Sequence, residues 1–295
     1  MIRATINGKV GEFSDGVTVL EAARSVGIDI PTLCNDDRLK PVGACRMCLV
    51  DVKGTTKETV SCTTLLADGM EVATHSEPVE EGRTWNLRML AGNYPADAYT
   101  KYPDKPFHKL ATKYGLTAAD FHGDHSTAGD SSHTYIDVDM SRCINCYACA
   151  RICADVQGQF VWHVLGRGEE SQILPDSFGA FGDSTCVSCG ACSDACPTGA
   201  LEDKTVIERG FPTEWTKTTC PYCGTGCEMN VGVRDDRVVQ VKPVMDAPVN
   251  YGHLCVKGRY AFDFVDADDR VTEPMIRENG DWVVVSWEDA IRYTA

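Results

Sequence analysis

All sixteen cysteines of this 295-residue chain fall into four sets of four, and this grouping constrains the fold more than any other sequence feature. The first set is spaced C-x10-C-x2-C-x13-C, and the fourth is spaced C-x2-C-x3-C-x27-C. The second and third sets share the spacing C-x2-C-x2-C-x3-C, and they are displaced by 43 residues, so the chain contains an internal repeat. In chain order the sets are Cys34, Cys45, Cys48 and Cys62; Cys143, Cys146, Cys149 and Cys153; Cys186, Cys189, Cys192 and Cys196; and Cys220, Cys223, Cys227 and Cys255.

The number of cysteines indicates metal binding rather than disulfide bonds. The sequence opens on MIRATINGKV, without a charged-then-apolar leader, a twin arginine or a small-residue cleavage site, so we expect a cytoplasmic protein. Thiols stay reduced in that compartment, where cysteine-rich chains usually bind metal. No apolar run approaches 18 residues, so we expect no membrane span. The net charge of -15 argues against nucleic acid as a partner, and it suits either docking to a basic protein face or simple solubility.

Iron–sulfur clusters and zinc are the two centres that such cysteine sets can form. Zinc sites usually combine two separated C-x2-C pairs. Three cysteines at steps of three, with a fourth after x3, instead match the two-cluster bacterial ferredoxin run, in which the fourth cysteine ligates the other cluster. We therefore expect one [4Fe-4S] cluster on Cys143, Cys146, Cys149 and Cys196, and a second on Cys186, Cys189, Cys192 and Cys153. A structural zinc protein is the alternative.

The first set lies in a segment that predicts a small β-grasp domain. Two strand-like runs meet at Asn7-Gly8, a strong hairpin signal, and Thr18 with Glu21 forms a capping box for a helix. We expect Cys62 to lie on a strand. The segment resembles plant-type [2Fe-2S] ferredoxins, although its x10 gap is longer than their x4. The longer gap is similar to that in complex I large iron–sulfur subunits, iron-only hydrogenases and NAD-linked formate dehydrogenases, and it implies one [2Fe-2S] cluster.

The fourth set lies in a segment that resembles the molybdopterin oxidoreductase family, and most closely formate dehydrogenase alpha subunits. The stretches that carry this resemblance are TTCPYCGTGCEMNVGV, NYGHLCVKGRYAFDFV and DRVTEPMIRENGDWVVVSWEDAI. It implies a further [4Fe-4S] cluster on the fourth set, and it places Lys257 between that cluster and a molybdopterin. An ordinary solvated lysine is the alternative interpretation of Lys257. The chain ends at Ala295, before the segments that supply the catalytic body of such enzymes, so we expect no catalytic residue on it.

Residues 79–133 match that family weakly. Many relatives carry another cluster here on the motif H-x3-C-x2-C-x5-C, but the corresponding positions are Tyr94, Ala98, Lys101 and Phe107. None of these can replace a thiolate, so we expect this cluster to be absent. We expect a helix over 79–90 followed by a surface connector. The histidines of the segment are interpreted as exposed connector residues; they are His108, His122, His125 and His133.

These observations predict a modular α+β protein with four segments. They are a [2Fe-2S] plant-type ferredoxin-like domain over 1–78, a helix and connector over 79–133, a ferredoxin-like domain with two [4Fe-4S] clusters over 134–210, and a truncated first domain of a molybdopterin oxidoreductase with one [4Fe-4S] cluster over 211–295.

The family resemblance implies an electron relay. One end would face a molybdenum or tungsten bis-molybdopterin guanine dinucleotide centre, held by another catalytic polypeptide or by a missing remainder. The other end would face a flavin- and NAD-binding subunit or a ferredoxin. The leading interpretation is the iron–sulfur part of a formate dehydrogenase. The alternative is a non-catalytic electron-wire subunit of a hydrogenase or of an electron-bifurcating or transhydrogenase complex.

Overall fold

The computed structural model describes residues 1–124 and 129–295, and it begins with a five-stranded sheet that packs on one helix. The elements are β1 (Ile2–Ile6), β2 (Lys9–Phe13), α1 (Val19–Ser25), β3 (Leu49–Val52), β4 (Thr59–Val60) and β5 (Glu71–Ala73). The strand order is β2-β1-β5-β3-β4, with β1 and β5 parallel and the other neighbours antiparallel. Asn7 and Gly8 both have positive φ in the turn between β1 and β2, and Thr18 and Glu21 form the expected capping box.

Three helices follow, and the first of them is tied to the sheet by a buried arginine. They are α2 (Glu77–Gly92), α3 (Ala96–Lys101) and α4 (Pro106–Lys113). The helix expected over 79–90 is present as α2 and is longer at both ends. Arg83 is fully buried, and its guanidinium donates to the backbone carbonyls of Met47 and Leu49. These bonds anchor α2 to the loop that carries the first cysteine set.

The next part contains the sequence repeat, and its two halves have the same local backbone. Its elements are β6 (Ile136–Val138), α5 (Ala148–Arg151), β7 (Trp162–Leu165), β8 (Gln172–Pro175), α6 (Ala191–Ala195), β9 (Leu201–Asp203) and α7 (Lys204–Arg209). Strands β6 and β9 pair antiparallel, as do β7 and β8. Asn145 and Tyr147 have φ of 51° and 59°, and the equivalent Ser188 and Gly190 have φ of 56° and 73°. Each cysteine loop therefore enters its short helix through the same left-handed turns.

The last part is a three-stranded antiparallel sheet with a short helix against it, followed by an exposed hairpin. Its elements are β10 (Glu214–Thr219), β11 (Glu228–Arg234), β12 (Arg237–Pro243), α8 (Val256–Tyr260), β13 (Met275–Glu278), β14 (Asp281–Val284) and α9 (Trp287–Thr294). Helix α8 packs on β12 and buries Arg259 and Tyr260. Strand β14 is exposed along its length.

Buried apolar residues form several cores, and cysteines take part in each of them. Cys34 of the first set and Cys146 of the repeat belong to one core, which also holds the aromatic side chains of α3 and α4. Tyr260 of α8 belongs to the core around the cysteine repeat. Cores therefore extend from the first set and from the repeat into a neighbouring segment. Within residues 1–124 and 129–295, no helix combines the length and the apolar character needed to cross a membrane.

Candidate metal centres

The first cysteine set is buried where the sheet meets α2. Its members Cys34, Cys45, Cys48 and Cys62 each expose 6% or less of their surface. The backbone N–H of Cys45 points at Sγ of Cys34 over 3.5 Å. Gly43 has φ of 65°, and a Cβ there would lie 3.3 Å from a side chain of β4, so the loop packs closely on the strand. Cys62 lies in a turn beyond β4, so the expectation that it lies on a strand is wrong.

The four thiols of this set form two hydrogen-bonded pairs. The hydrogen bond from Cys45 is the main reason that the pKa of Cys34 falls to about 6. In the same way, the bond from Cys62 lowers the pKa of Cys48 to about 7. The pKa values of Cys45 and Cys62 are raised by those bonds and by burial. Hydrogen bonds thus favour the thiolate forms of Cys34 and Cys48, and buried negative charge needs a cationic partner.

A buried hydroxyl lies beside this set. Ser61 is fully buried, and its Oγ has no partner of ordinary hydrogen-bond geometry. The polar atom that it faces is the Cys48 sulfur, and its interaction with that sulfur helps to lower the pKa of Cys48. Buried polar groups nearly always have a partner. A thiolate or sulfide of a bound cluster would supply one, so the residues present fit an iron–sulfur group at this site.

The two ferredoxin-like sets each bring their last member to the loop of the other. Cys153, which follows the second set's loop, lines one small cavity together with Cys186, Cys189 and Cys192. Cys196 is the reciprocal case: its charge raises the pKa values of Cys143, Cys146 and Cys149. The structure therefore places three consecutive cysteines of each loop beside the fourth cysteine of the other.

Burial and mutual repulsion make the first three thiols of each loop hold their protons tightly. Burial, followed by the charges of the other cysteines, raises the pKa values of Cys149 and Cys192 well above the ordinary value. Burial is also the first cause of the raised pKa values of Cys143 and Cys186, each about 11. Iron can replace these protons and neutralise the converging thiolates. The donor set therefore fits a cluster, because thiolates are the usual ligands of iron–sulfur centres.

The fourth set lies nearer the surface. Cys220 and Cys227 are half-buried and joined by a backbone hydrogen bond of 2.8 Å, whereas Cys223 and Cys255 are exposed. Burial, then the charges of the other three cysteines of the set, raises the pKa of Cys227, so the four sulfurs converge. Lys257 is exposed, and its ammonium lowers the pKa of Cys223 after a larger contribution from Thr225.

Neighbouring sets lie against one another in a continuous order. Cys34 of the first set contributes to the raised pKa of Cys146, and Cys192 contributes to that of Cys149. Arg151, between Cys149 and Cys153 in the chain, donates to the carbonyl of Cys34 over 2.6 Å. Helix α8 then joins the ferredoxin-like part to the fourth set, because a Cβ on its Gly258 would lie 3.5 Å from Cys220 Sγ.

Among the residues that the structure describes, no group of three or more histidine, cysteine and acidic side chains is arranged to hold one metal ion.

The segment without cysteines is a packed aromatic core and not a surface connector. Tyr94, Ala98 and Phe107 are fully buried, while Lys101 is exposed. The rings of Tyr94 and Phe107 meet edge to face at 5.1 Å. The Tyr94 hydroxyl donates to the carbonyl of Thr198 over 2.9 Å and so ties this core to the end of the third cysteine loop. Three of the four positions that the sequence comparison aligned with ligands therefore hold side chains packed in this core.

Two of the histidines expected to be exposed are buried. His108 is fully buried, with Nδ1 2.5 Å from the Tyr102 carbonyl and Nε2 2.9 Å from the Tyr94 hydroxyl. His133 is also buried, and its Nδ1 accepts from the backbone N–H groups of Tyr135 and Ile136. The expectation was wrong for both because aromatic neighbours cover them. His122 is exposed, as expected, and His125 lies outside the described residues.

Sequence reasoning missed Ser61 and the buried charged group around Arg259. Arg259 forms ion pairs with Asp194 and Asp203 at 2.9 and 2.8 Å. The sequence does show a polar or charged residue close to a ligand cysteine in each case. Ser61 lies in SCTT, Asp194 in CSDAC and Arg259 in CVKGRY. That signal alone does not distinguish a buried partner from a solvated one.

Three family models match this chain, and together they cover the cysteine sets. A 2Fe-2S iron-sulfur cluster binding domain matches residues 1–77. The ferredoxin-like domain of NADH-quinone oxidoreductase subunit 3 matches 133–202, and the molybdopterin oxidoreductase Fe4S4 domain matches 213–267.

A solved chain of the NAD+-reducing [NiFe]-hydrogenase in the H2-reduced state is 31% identical, with a TM-score of 0.62, over 69% of this chain and 87% of that chain. The chain belongs to the family of NADH-quinone oxidoreductase iron–sulfur subunits and molybdopterin oxidoreductases. It corresponds to the N-terminal iron–sulfur portion of that family, and the predicted modular α+β fold class is confirmed.

Curated members of the family match almost the whole chain. A NADH-quinone oxidoreductase subunit of Rhizobium meliloti (strain 1021) is 36% identical over 98% of this chain and 34% of its own length. "Putative formate dehydrogenase YrhE" of Bacillus subtilis (strain 168) is 28% identical over 100% of this chain and 35% of its own length. The chain thus spans about a third of these curated relatives. The family is wider than the formate dehydrogenases, which the sequence resemblance favoured.

Proposed function

We propose that this chain is an electron conduit with one [2Fe-2S] and three [4Fe-4S] clusters. The main support is that Cys153 and Cys196 each lie beside the three cysteines of the opposite ferredoxin-like loop. Two-cluster ferredoxins have this arrangement, whereas a simple zinc knuckle does not require it. The [2Fe-2S] ligands are Cys34, Cys45, Cys48 and Cys62, and the [4Fe-4S] ligands are Cys143, Cys146, Cys149 and Cys196; Cys153, Cys186, Cys189 and Cys192; and Cys220, Cys223, Cys227 and Cys255. The division into 1–78, 79–133, 134–210 and 211–295 stays a prediction.

The clusters, when bound, supply reversible one-electron transfer. The protein fixes the order of the sites and buries the first of them. Burial of the first set, and of much of the repeat, provides a medium in which nearby charges act strongly. Arg151 holds the first set against the repeat, and α8 holds the repeat against the fourth set. Electrons therefore pass in chain order, from the first set to the fourth or in reverse.

The exposed fourth set is the proposed contact with a catalytic centre. Cys223 and Cys255 are open to solvent, and Lys257 stands beside Cys223. The match to the molybdopterin oxidoreductase Fe4S4 domain supports a molybdenum or tungsten bis-pterin body beyond this site, with Lys257 between cluster and pterin. Formate oxidation is the finer form of this proposal. A relative named as a formate dehydrogenase supports it, although that relative is less similar to this chain than the Rhizobium meliloti protein.

The second candidate is a non-catalytic wire within a hydrogenase or transhydrogenase assembly. The match to a chain of the NAD+-reducing [NiFe]-hydrogenase, over 87% of that chain, favours it. In both candidates the far end would exchange electrons with a flavin- and NAD-binding subunit or a ferredoxin in the cytoplasm.

Metal analysis of the purified complex tests both candidates. The proposed clusters contain about 14 irons per chain, whereas a chain with the additional histidine-ligated cluster would contain about 18. An iron content near 18, or a colourless zinc-loaded chain, would contradict the proposal. Stoichiometric molybdenum or tungsten with released pterin identifies the first candidate. Their absence from an active, fully loaded complex identifies the second.

The location of formate oxidation can be tested separately. We expect the 295-residue chain alone to accept electrons from dithionite but to oxidise no formate with an artificial dye acceptor. Formate oxidation should require co-purification with a pterin-bearing polypeptide. Reproducible formate oxidation by this chain alone, with stoichiometric pterin, would place the catalytic body within it and overturn this part of the proposal.

A further inference from the structure

Helix α8 places an arginine directly against the loop of the third cysteine set. Gly190 lies between Cys189 and Cys192 and has φ of 73°. A Cβ at Gly190 would lie 2.8 Å from Arg259 Nε and 2.7 Å from the Tyr260 hydroxyl. A side chain at this position would displace the guanidinium. The glycine therefore permits Arg259 to reach the backbone between two cysteines of the loop.

The guanidinium is held by its terminal nitrogens and leaves its third nitrogen unused. The Arg259 side chain is 1% exposed, with Nη1 2.9 Å from Asp194 Oδ1 and Nη2 2.8 Å from Asp203 Oδ2. Gln240 and Tyr260 donate to Asp203 as well, which fixes that carboxylate. Arg259 Nε is buried and has no hydrogen-bond partner. The Tyr260 hydroxyl lies nearby but donates to Asp203 and is not positioned to accept from Nε. Because a buried N–H of a charged group is rarely unpaired, a bound group is the acceptor that this geometry leaves room for.

We propose that Arg259 Nε–H donates a hydrogen bond to a sulfur of the cluster held by Cys153, Cys186, Cys189 and Cys192, and thereby raises the reduction potential of that cluster. This inference rests on the ligand set of the proposed function. Reduction adds negative charge, so a hydrogen bond and a fixed positive charge stabilise the reduced state.

The position of Arg259 has a consequence for electron flow. Helix α8 begins directly after Cys255 of the fourth set and ends with Tyr260, whose hydroxyl would lie 2.7 Å from a Cβ at Gly190 of the third cysteine loop. The same short helix thus connects the two last centres of the conduit. Raising the potential of the inner one favours transfer of an electron from the fourth set into the repeat.

A redox titration of the cluster-loaded full chain, followed by electron paramagnetic resonance, tests the inference. The signal of the relevant cluster is identified as the one that Cys153→Ser perturbs. Arg259→Gln should lower the midpoint potential of that cluster, and Arg259→Lys should lower it less, because the charge is kept while the Nε–H is lost. Asp203→Asn should shift the same potential upward. If the substitutions only loosened the site, the Arg259 variants and Asp203→Asn would shift the midpoint potential in the same direction.

The matched control is Arg234→Gln, since Arg234 likewise donates a side-chain hydrogen bond, to the Phe211 carbonyl, but neither residue lies in a cysteine loop. It should leave all midpoint potentials unchanged. Electron–nuclear double resonance should detect an exchangeable proton coupled to the wild-type cluster. That coupling should disappear in both Arg259 variants and persist in Asp203→Asn.

An unchanged potential and an unchanged proton coupling in an Arg259 variant with its cluster intact would overturn the inference. Should Arg259→Gln fail to fold, Arg259→Lys retains an ion-pairing charge and provides the same two readouts. Failure of the proposed function would be seen in the wild-type chain, before any arginine is changed. The cluster signal that Cys153→Ser should perturb would then be absent.

Discussion

Replacing Cys153 by serine should damage the cluster of the other loop. Cys153 is close in sequence to Cys149, but in the structure it lines the cavity formed by Cys186, Cys189 and Cys192. Serine removes one thiolate from that site and leaves the site of Cys149 with all four. The expected loss is one [4Fe-4S] cluster, or about 4 of about 14 irons per chain.

The loss should be measured by iron and sulfide analysis together with low-temperature electron paramagnetic resonance. The affected cluster could instead convert to a three-iron form, with a smaller loss of iron. Such a conversion at the Cys186 site would also show that Cys153 ligates that cluster. Cys196→Ser is the matched control, because it should affect the cluster of Cys143, Cys146 and Cys149 instead. The two variants should therefore remove different signals.

Signal assignment decides the outcome. Substituting Cys189 should remove the same signal as Cys153→Ser, and substituting Cys146 should remove the other. If Cys153→Ser and a substitution of Cys146 affect one common signal, each loop holds its own cluster and the exchanged pairing is wrong.

The remaining predictions concern the aromatic core, its histidine and the lysine near the fourth set. Phe107→Ala should destabilise the chain by about 3–5 kcal/mol in urea unfolding, because Phe107 is fully buried. The control Phe178→Ala, at an exposed position, should change the free energy of unfolding by less than about 0.5 kcal/mol. Burial lowers the pKa of His108, so only the unfolded chain gains its proton as the pH falls below about 6.5. Stability should therefore be full above that pH and decline below it; His108→Gln should weaken this dependence in unfolding curves, whereas exposed His122→Gln should retain it. Thr225 and Lys257 lower the pKa of Cys223. Lys257→Gln should therefore raise that pKa and slow the alkylation of Cys223 in iron-free chain at neutral pH. An unchanged alkylation rate would show that Lys257 does not act on the fourth cysteine set.

The cysteine spacing indicated most of the candidate sites because a ligand loop is local. Three cysteines at steps of three must converge from one short segment, and a left-handed turn in each loop then follows from the same local sequence. The hairpin at Asn7-Gly8 and the capping box of Thr18 and Glu21 were predictable for the same reason. Each depends on residues that are near one another in the chain.

The segment over 79–133 was predicted poorly because its environment is supplied by distant residues. Tyr94 and His108 look polar in the sequence, but both are buried in the fold. The Tyr94 hydroxyl donates to the Thr198 carbonyl, His108 Nδ1 lies beside the Tyr102 carbonyl, and the two rings pack against each other. Sequence correctly indicated that the positions of the additional ligands hold no thiolates. It gave no sign that these positions form a packed core.

The sequence by itself determined the cysteine sets, the repeat and the order of the modules, since spacing and turn chemistry act over a few residues. Only the tertiary structure decided which sets are neighbours and which charges are buried between them. Arg259 follows Cys255 by four positions, yet its ion pairs are with Asp194 and Asp203 and its free N–H lies at Gly190. Burial and long-range pairing depend on residues more than fifty positions apart, and no local pattern specifies them.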